Sequence, residues 1–183
     1  MRKKLCTYSV HFMAAAMLGI GLGSLPAQAE TSARDVEVAA RAVAFLASKP
    51  SGAQPTAIVY DPDNAESAAD AQALQAILSG GVNAGKVTLS APKMVAVGDL
   101  AGLSGMQVAF IAQGTNAHHA AIAQAAAAEK ILTMSADLDC VRANHCVVGV
   151  QGQPSVEIYI SKQASQASGQ AFSSAFLMMA KEI

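Results

Sequence analysis

Tryptophan is absent from this 183-residue chain, and aromatic residues of all kinds make up 4% of it. So few flat rings exclude the stacking platforms that hold single-stranded nucleic acids and sugars. Charge of one dominant sign is missing too, with 12 basic residues against 13 acidic ones. Beyond the first four positions the basic residues stand singly, from Arg34 and Arg41 to Lys162 and Lys181. They form no stripe that would release counterions from a phosphate backbone, so no nucleic-acid partner is expected. Long apolar runs are equally scarce. The longest, within "FMAAAMLGIGLG", covers about a dozen residues, short of the roughly twenty that span a membrane as a helix. Internal repeats are lacking, and only one alanine-rich segment is of low complexity.

What the chain does have begins at its first residue. "MRKK" is basic, the apolar run follows, and "LPAQAE" places small residues at Ala27 and Ala29. This is the charge, length and small-residue pattern of a secretory signal peptide, with cleavage expected after Ala29. Residues 1–29 are therefore read as a leader and residues 30–183 as a single domain, a length that suits one core. Loss of Arg2, Lys3 and Lys4 leaves the mature chain with about four more acidic than basic residues. Export to the periplasm is expected, with no membrane insertion after cleavage.

Of three cysteines, Cys6 leaves with the leader, while Cys140 and Cys146 remain in "LDCVRANHC". A nearby pair in an oxidising compartment is expected to form a disulfide. A zinc site would have to recruit His145 and the sequence-distant His118 or His119. A thioredoxin-like centre favours two intervening residues at a helix start, which this pair lacks.

Helix and strand patterns alternate along the chain. "SARDVEVAARAVAFLAS" repeats apolar residues at helical spacing behind a Ser32 cap. "PTAIVYD" reads as a buried strand, and residues 64–79 as a helix stopped by "SGG". "GKVTLSAPKMVAV" is ambiguous, and "GDLAGLSG" is a short helix or turn. "MQVAFIAQG" is the clearest strand; an alanine-rich helix and the strand "KILTMS" follow. "CVVGVQ" and "SVEIYIS" suggest a hairpin. Ser161 then caps a long last helix, whose Phe172, Phe176, Met179 and Ile183 form one inward stripe. The fold expected is α/β, a mostly parallel sheet flanked by helices, with a C-terminal β-hairpin and a long final helix.

Candidate chemistry is sparse. Asp61 and Asp63 follow a strand, where open α/β sheets place their sites. They superficially resemble the paired aspartates of the haloacid dehalogenase phosphatases, but Asn64 stands near where that family has a small hydroxyl residue. A capped strand-to-helix turn accounts for the same residues. Ser104 in "GLSG" leads into a strand, whereas a nucleophile elbow leads out of one. His118 and His119 are adjacent on a helix and diverge by about 100°, so they are read as surface histidines. Gly114, Thr115 and Asn116 open a helix where amides could meet an anion, or form an ordinary capped turn. No catalytic set, cofactor or metal is expected.

The last third, "ILTMSADLDCVRANHCVVGVQGQPSVEIYISKQASQASGQAFSSAFLMMA", resembles the end of the YfiR family of DUF4154-type periplasmic regulators. The shared elements fall on Leu132 to Ser135, on the strands around Gly152, on Gly169, and on Ser173 and Ser174. "AARAVAFLASKP", "TAIVYD" and "LAGLSGMQVAFIA" fit more loosely. Asn144 and His145 replace a Gly-Gly pair, and the aromatic residues that close the first helix are missing. The resemblance implies a non-enzymatic periplasmic protein that binds and represses the sensor domain of a membrane-anchored diguanylate cyclase, lowering cyclic di-GMP and biofilm formation. It also admits a redox role for Cys140 and Cys146 toward the partner, against a plain structural staple, which is the reading preferred. A homodimer is a further possibility. The alternative is a single-lobe solute-binding protein, since "AIVYDPDNAESAADAQALQAIL" is also similar to one lobe of a type 1 periplasmic binding protein.

Overall fold

The computed structural model describes residues 30–183; the leader expected at 1–29, with Cys6, lies outside them. In chain order the elements are α1 (Ala33–Ala44), β1 (Gly52–Gln54), β2 (Thr56–Tyr60), α2 (Ala65–Ser79), β3 (Val82–Ala84), β4 (Val87–Leu89) and β5 (Lys93–Ala96). Then come β6 (Val108–Ile111), α3 (His119–Ala128), β7 (Leu132–Ser135), α4 (Leu138–Arg142), β8 (Val148–Gln151), β9 (Glu157–Ile160), α5 (Lys162–Ala167), α6 (Ser174–Leu177) and β10 (Lys181–Glu182). Single 3-10 turns precede β6 and α3.

Seven strands form one sheet in the order β10-β9-β8-β7-β6-β2-β5. The strands from β5 to β8 are parallel, and β9 turns back antiparallel on β8 with Val148 opposite Ile160. The fold is thus the expected mostly parallel α/β sheet with a hairpin near its edge. Continuous burial of β2, β6 and β7 reflects a sheet covered on both faces. Their side chains alternate between two cores. Ile58, Phe110, Leu132 and Met134 join α1, α2 and a small second sheet of β1, β4 and β3. Val59 and Ile111 lie on the other side, with Ile122 of α3 and Val141 of α4. The ambiguous segment resolves into β4 of the small sheet and β5 at the edge of the large one.

Local signals set the helix starts. Ser32 and Asp35 form a reciprocal capping box on α1. Asn64 caps α2 through Glu66 N and Ser67 N, and Ser161 Oγ accepts from Ala164 N at 3.1 Å to start α5.

The long final helix is not formed. Helix α5 stops after Ala167, Gly169 takes a left-handed φ of 66°, and a short bridge pairs Leu46 with Phe172. Glycine reverses the chain there at little steric cost, ending the helix. The four-residue α6 and the edge strand β10 follow. Of the expected stripe, Phe176 is buried at 1% exposure, whereas Met179 and Ile183 are 64% and 44% exposed. The spacing was helical in sequence, but only Phe176 belongs to a helix that packs on the core.

Candidate functional site

The chain leaves β2 for β5 on one side and returns to β6 on the other, so the direction of winding reverses between β2 and β6. A crevice outside the carboxyl ends of such strands is where open α/β sheets bind ligands. Asn64 spans it. Its Oδ1 caps α2, and its Nδ2 donates to the Gly114 carbonyl at 2.9 Å. Gly114 sits at φ +73°, and a Cβ there would lie 3.1 Å from both Asn64 Nδ2 and Ser67 N. Glycine is needed on both counts.

Asp61 and Asp63 lie on this turn. Asp61 Oδ1 accepts from Asp63 N at 3.0 Å, its Oδ2 stands 3.4 Å from His118 Nε2, and Asp63 is exposed. Thr115 Oγ1 donates to the Ala112 carbonyl at 2.8 Å, and Asn116 Nδ2 donates to Asp137 Oδ2 at 3.2 Å. Asn64 thus gives the Asp61–Asn64 turn its helix cap, whereas the turn at Thr115 and the start of α3 carry no side-chain cap. Ser104 follows the first 3-10 turn and is exposed. Among the described residues, no group of three or more histidine, cysteine or acidic side chains could hold a metal ion.

The two histidines were read together as surface residues, and this is correct for His118 alone. His119 is 5% exposed and points into the fold, toward Asp137 Oδ2 at 3.8 Å and the His145 ring at 6.4 Å. The reason is the divergence of neighbours on a helix: one ring reaches Asp61, so the next turns inward. Burial holds the His119 pKa below the ordinary histidine value, assisted by His145 and His118 and opposed by Asp137 and Asp139.

Cys140 and Cys146 are joined as a disulfide, with Cα atoms 5.2 Å apart. Asp137 Oδ1 caps α4 through Asp139 N at 2.9 Å, and the Cys140 carbonyl accepts from His145 N and Cys146 N. Beneath, Gly149 of β8 allows α4 to sit close.

Asp70 escaped the sequence reading. It is fully buried on α2 and accepts from Thr31 N at 2.5 Å, Thr31 Oγ1 at 3.1 Å and Gln113 N at 2.9 Å. One carboxylate thereby ties the entering chain and the end of β6 to α2. The signal was its place four residues before Leu74, on the apolar face of the helix. Gln113 in turn lines an open cleft of about 250 Å³ with Glu30, Asp35 and Gly152.

A second feature is apolar. Phe45 stacks on Phe176 with ring centroids 5.1 Å apart, and Met178 and Met179 follow α6. Phe45, Met178 and Met179 are 37%, 83% and 64% exposed. Phe45 lies against α6, because Ser173 N donates to its carbonyl at 2.9 Å and its ring stacks on Phe176, two and three residues before Met178 and Met179. Beside it, Ile160, Phe172 and Leu177 line a shallow groove of about 280 Å³. Among the described residues, no helix is long and apolar enough to cross a membrane.

The family model described as YfiR/HmsC-like (DUF4154) matches residues 50–181. The chain belongs to the YfiR/HmsC-like family. No curated protein matches the chain. Two solved structures share its fold. A conserved domain protein from Vibrio cholerae O1 biovar El Tor is 12% identical at a TM-score of 0.60, covering 82% of this chain and 59% of its own. The ligand-free, open structure of CD0873, a substrate binding protein with adhesive properties from Clostridium difficile, is 14% identical at 0.53, with coverages of 71% and 54%. This YfiR/HmsC-like chain thus spans under two thirds of the length of either.

Proposed function

We propose that this YfiR/HmsC-like protein is a non-enzymatic periplasmic regulator that binds the sensor domain of a membrane-anchored diguanylate cyclase and represses it. The single observation that carries the contact is the exposure of Phe45, Met178 and Met179 around α6. Exposed apolar clusters of this kind mark binding surfaces. The disulfide suits an oxidising compartment, and the family match supports the pathway.

Repression of this kind is differential binding: the regulator prefers one conformation of the sensor domain and so shifts its population. Turning a mostly active population into a mostly inactive one takes about 5 kcal/mol of preference. Burying what is still exposed of Phe45, Met178 and Met179 contributes about 3–5 kcal/mol of it, at roughly 1.5–3 kcal/mol for a whole side chain.

The test is to use residues 30–183 as bait on detergent-solubilised membranes of the source cell. Wild type is expected to retain a diguanylate cyclase, and the M178D/M179D variant to lose it while melting at the same temperature. Recovery of a transporter, or of no membrane protein, would contradict the proposal. A second reading, a single-lobe solute binder, is favoured by the cleft over Asp70, and recovery of a permease would support it.

A further inference from the structure

Besides the contact surface, the fold builds a cluster that the regulatory reading does not use. His119 opens α3 with its side chain 6% exposed, and its Nε2 has no hydrogen-bond partner. The nearest acceptor, Asp137 Oδ2, is 3.8 Å away, beyond hydrogen-bonding range. Asp137 is already committed: Oδ1 caps α4, Oδ2 accepts from Asn116, and its own N–H donates to Ser135 Oγ at 3.0 Å. On the other side stands His145, inside the loop closed by Cys140 and Cys146.

We propose that His119 is a proton sensor whose charging unlatches α4 and the disulfide loop. A neutral ring is tolerated in this position, because it need not be solvated. A charged ring would be a buried cation with Asp137 at ion-pair distance but no hydrogen-bond acceptor within reach. It has two ways out, and each dismantles something. Drawing Asp137 inward takes the carboxylate from Asn116 and from the cap of α4. Swinging outward uncovers the space between α3 and the loop. Helix α4 has only five residues, so its cap and its disulfide brace it beside the packing of Val141.

The charged groups around the ring oppose one another. Asp137 and Asp139 on α4 favour the cation, with Asp139 shared with Arg142 at 3.2 Å; His145 from the loop and His118 from the preceding turn disfavour it. Burial outweighs them, so the folded protein prefers the neutral ring. A histidine whose folded pKa is lowered contributes stability that is complete above its unfolded value, about 6.5. That contribution is lost as pH falls through the lower folded value. Acid should therefore open the loop.

The experiment measures the rate at which a phosphine reduces the Cys140–Cys146 bond in native protein, for wild type and H119Q at each pH. The ratio of the two rates cancels the reagent's own pH dependence. It is expected to lie near one at about pH 7.5 and to rise several-fold in favour of wild type at about pH 5, across the range where histidine switches. H118Q removes a minor group that disfavours the charged ring, so it should keep the acid-dependent rise, with its onset at or slightly above that of wild type. Should H119Q not fold, D137N keeps the ring but removes the carboxylate that favours its charge, so the acid onset should move to lower pH. Histidine ring resonances followed by NMR give the titration of His119 directly. An unchanged ratio between the two pH values, or a His119 that titrates at or above the ordinary value, overturns the proposal.

Discussion

Gly149 offers the sharpest test of how α4 is seated. It lies buried in β8 between Ser135 of β7 and Tyr159 of β9, facing α4. A Cβ at that position would lie 2.5 Å from Val141 Cγ1 and 3.2 Å from both Val141 Cβ and Leu138 Cδ2. Real Cβ atoms do not approach so closely, so G149A forces Val141 or α4 to move by about 1 Å. Val141 is fully buried and β-branched, with few rotamers to offer. Its neighbour Cys140 is pinned by the disulfide, so the helix has little freedom to retreat. Overpacking of this kind costs about 1–3 kcal/mol. For a domain of this size that lowers Tm by roughly 3–10 °C. The assay is thermal unfolding of wild type, G149A, V141A and the double variant. V141A alone should destabilise by removing buried methyl groups, but G149A/V141A should be more stable than the two single effects summed, with a coupling of about 1 kcal/mol or more. A G149A protein that melts within about 1 °C of wild type, with additive effects in the double variant, would refute the packing of α4 on β8.

Three further outcomes are expected. Replacing both Cys140 and Cys146 by serine should cost about 2 kcal/mol, as expected for a loop of seven residues on the chain-entropy model, and the Tm of wild type in reductant should fall to that of the variant. D70A strands the Thr31 and Gln113 N–H groups in the interior and should cost about 2–4 kcal/mol in urea unfolding, whereas loss under about 0.5 kcal/mol would show that the entering chain is not tied to α2. At the sheet edge, Lys181 and the Tyr159 hydroxyl hold Glu157 below the ordinary carboxylate range. A depressed carboxylate stabilises above its unfolded value, so the hold on β10 should be lost as pH falls below about 4, read as faster hydrogen exchange at Ile183 N.

The features legible in the sequence are those set by short-range physics. "VAFI" is four apolar residues between turn signals and becomes β6; Ser32, Asn64 and Ser161 precede helical periodicity and cap their helices. The hairpin was legible because two β-rich runs flank "GQP". The tail was misread, because Phe172, Phe176, Met179 and Ile183 repeat at helical intervals. What breaks that helix is a left-handed Gly169 together with the Leu46 bridge to Phe172, a contact across more than a hundred residues. The small sheet was hidden for a similar reason: β1, β3 and β4 have three residues each and gain identity only by pairing. The pairing of Cys140 with Cys146 followed from compartment and proximity. The meeting of His119 with His145 did not, because it depends on the crossover from β7 through α4 to β8 that folds distant segments onto one edge.

The proposed function is restraint of a diguanylate cyclase through its periplasmic domain. The most direct measurement is cellular cyclic di-GMP after deletion of the protein and after its return as wild type or as M178D/M179D. Deletion should raise the nucleotide several-fold, wild type should bring it back, and the variant should accumulate in the periplasm without doing so. Unchanged cyclic di-GMP on deletion, in cells that express the protein, would contradict the claim.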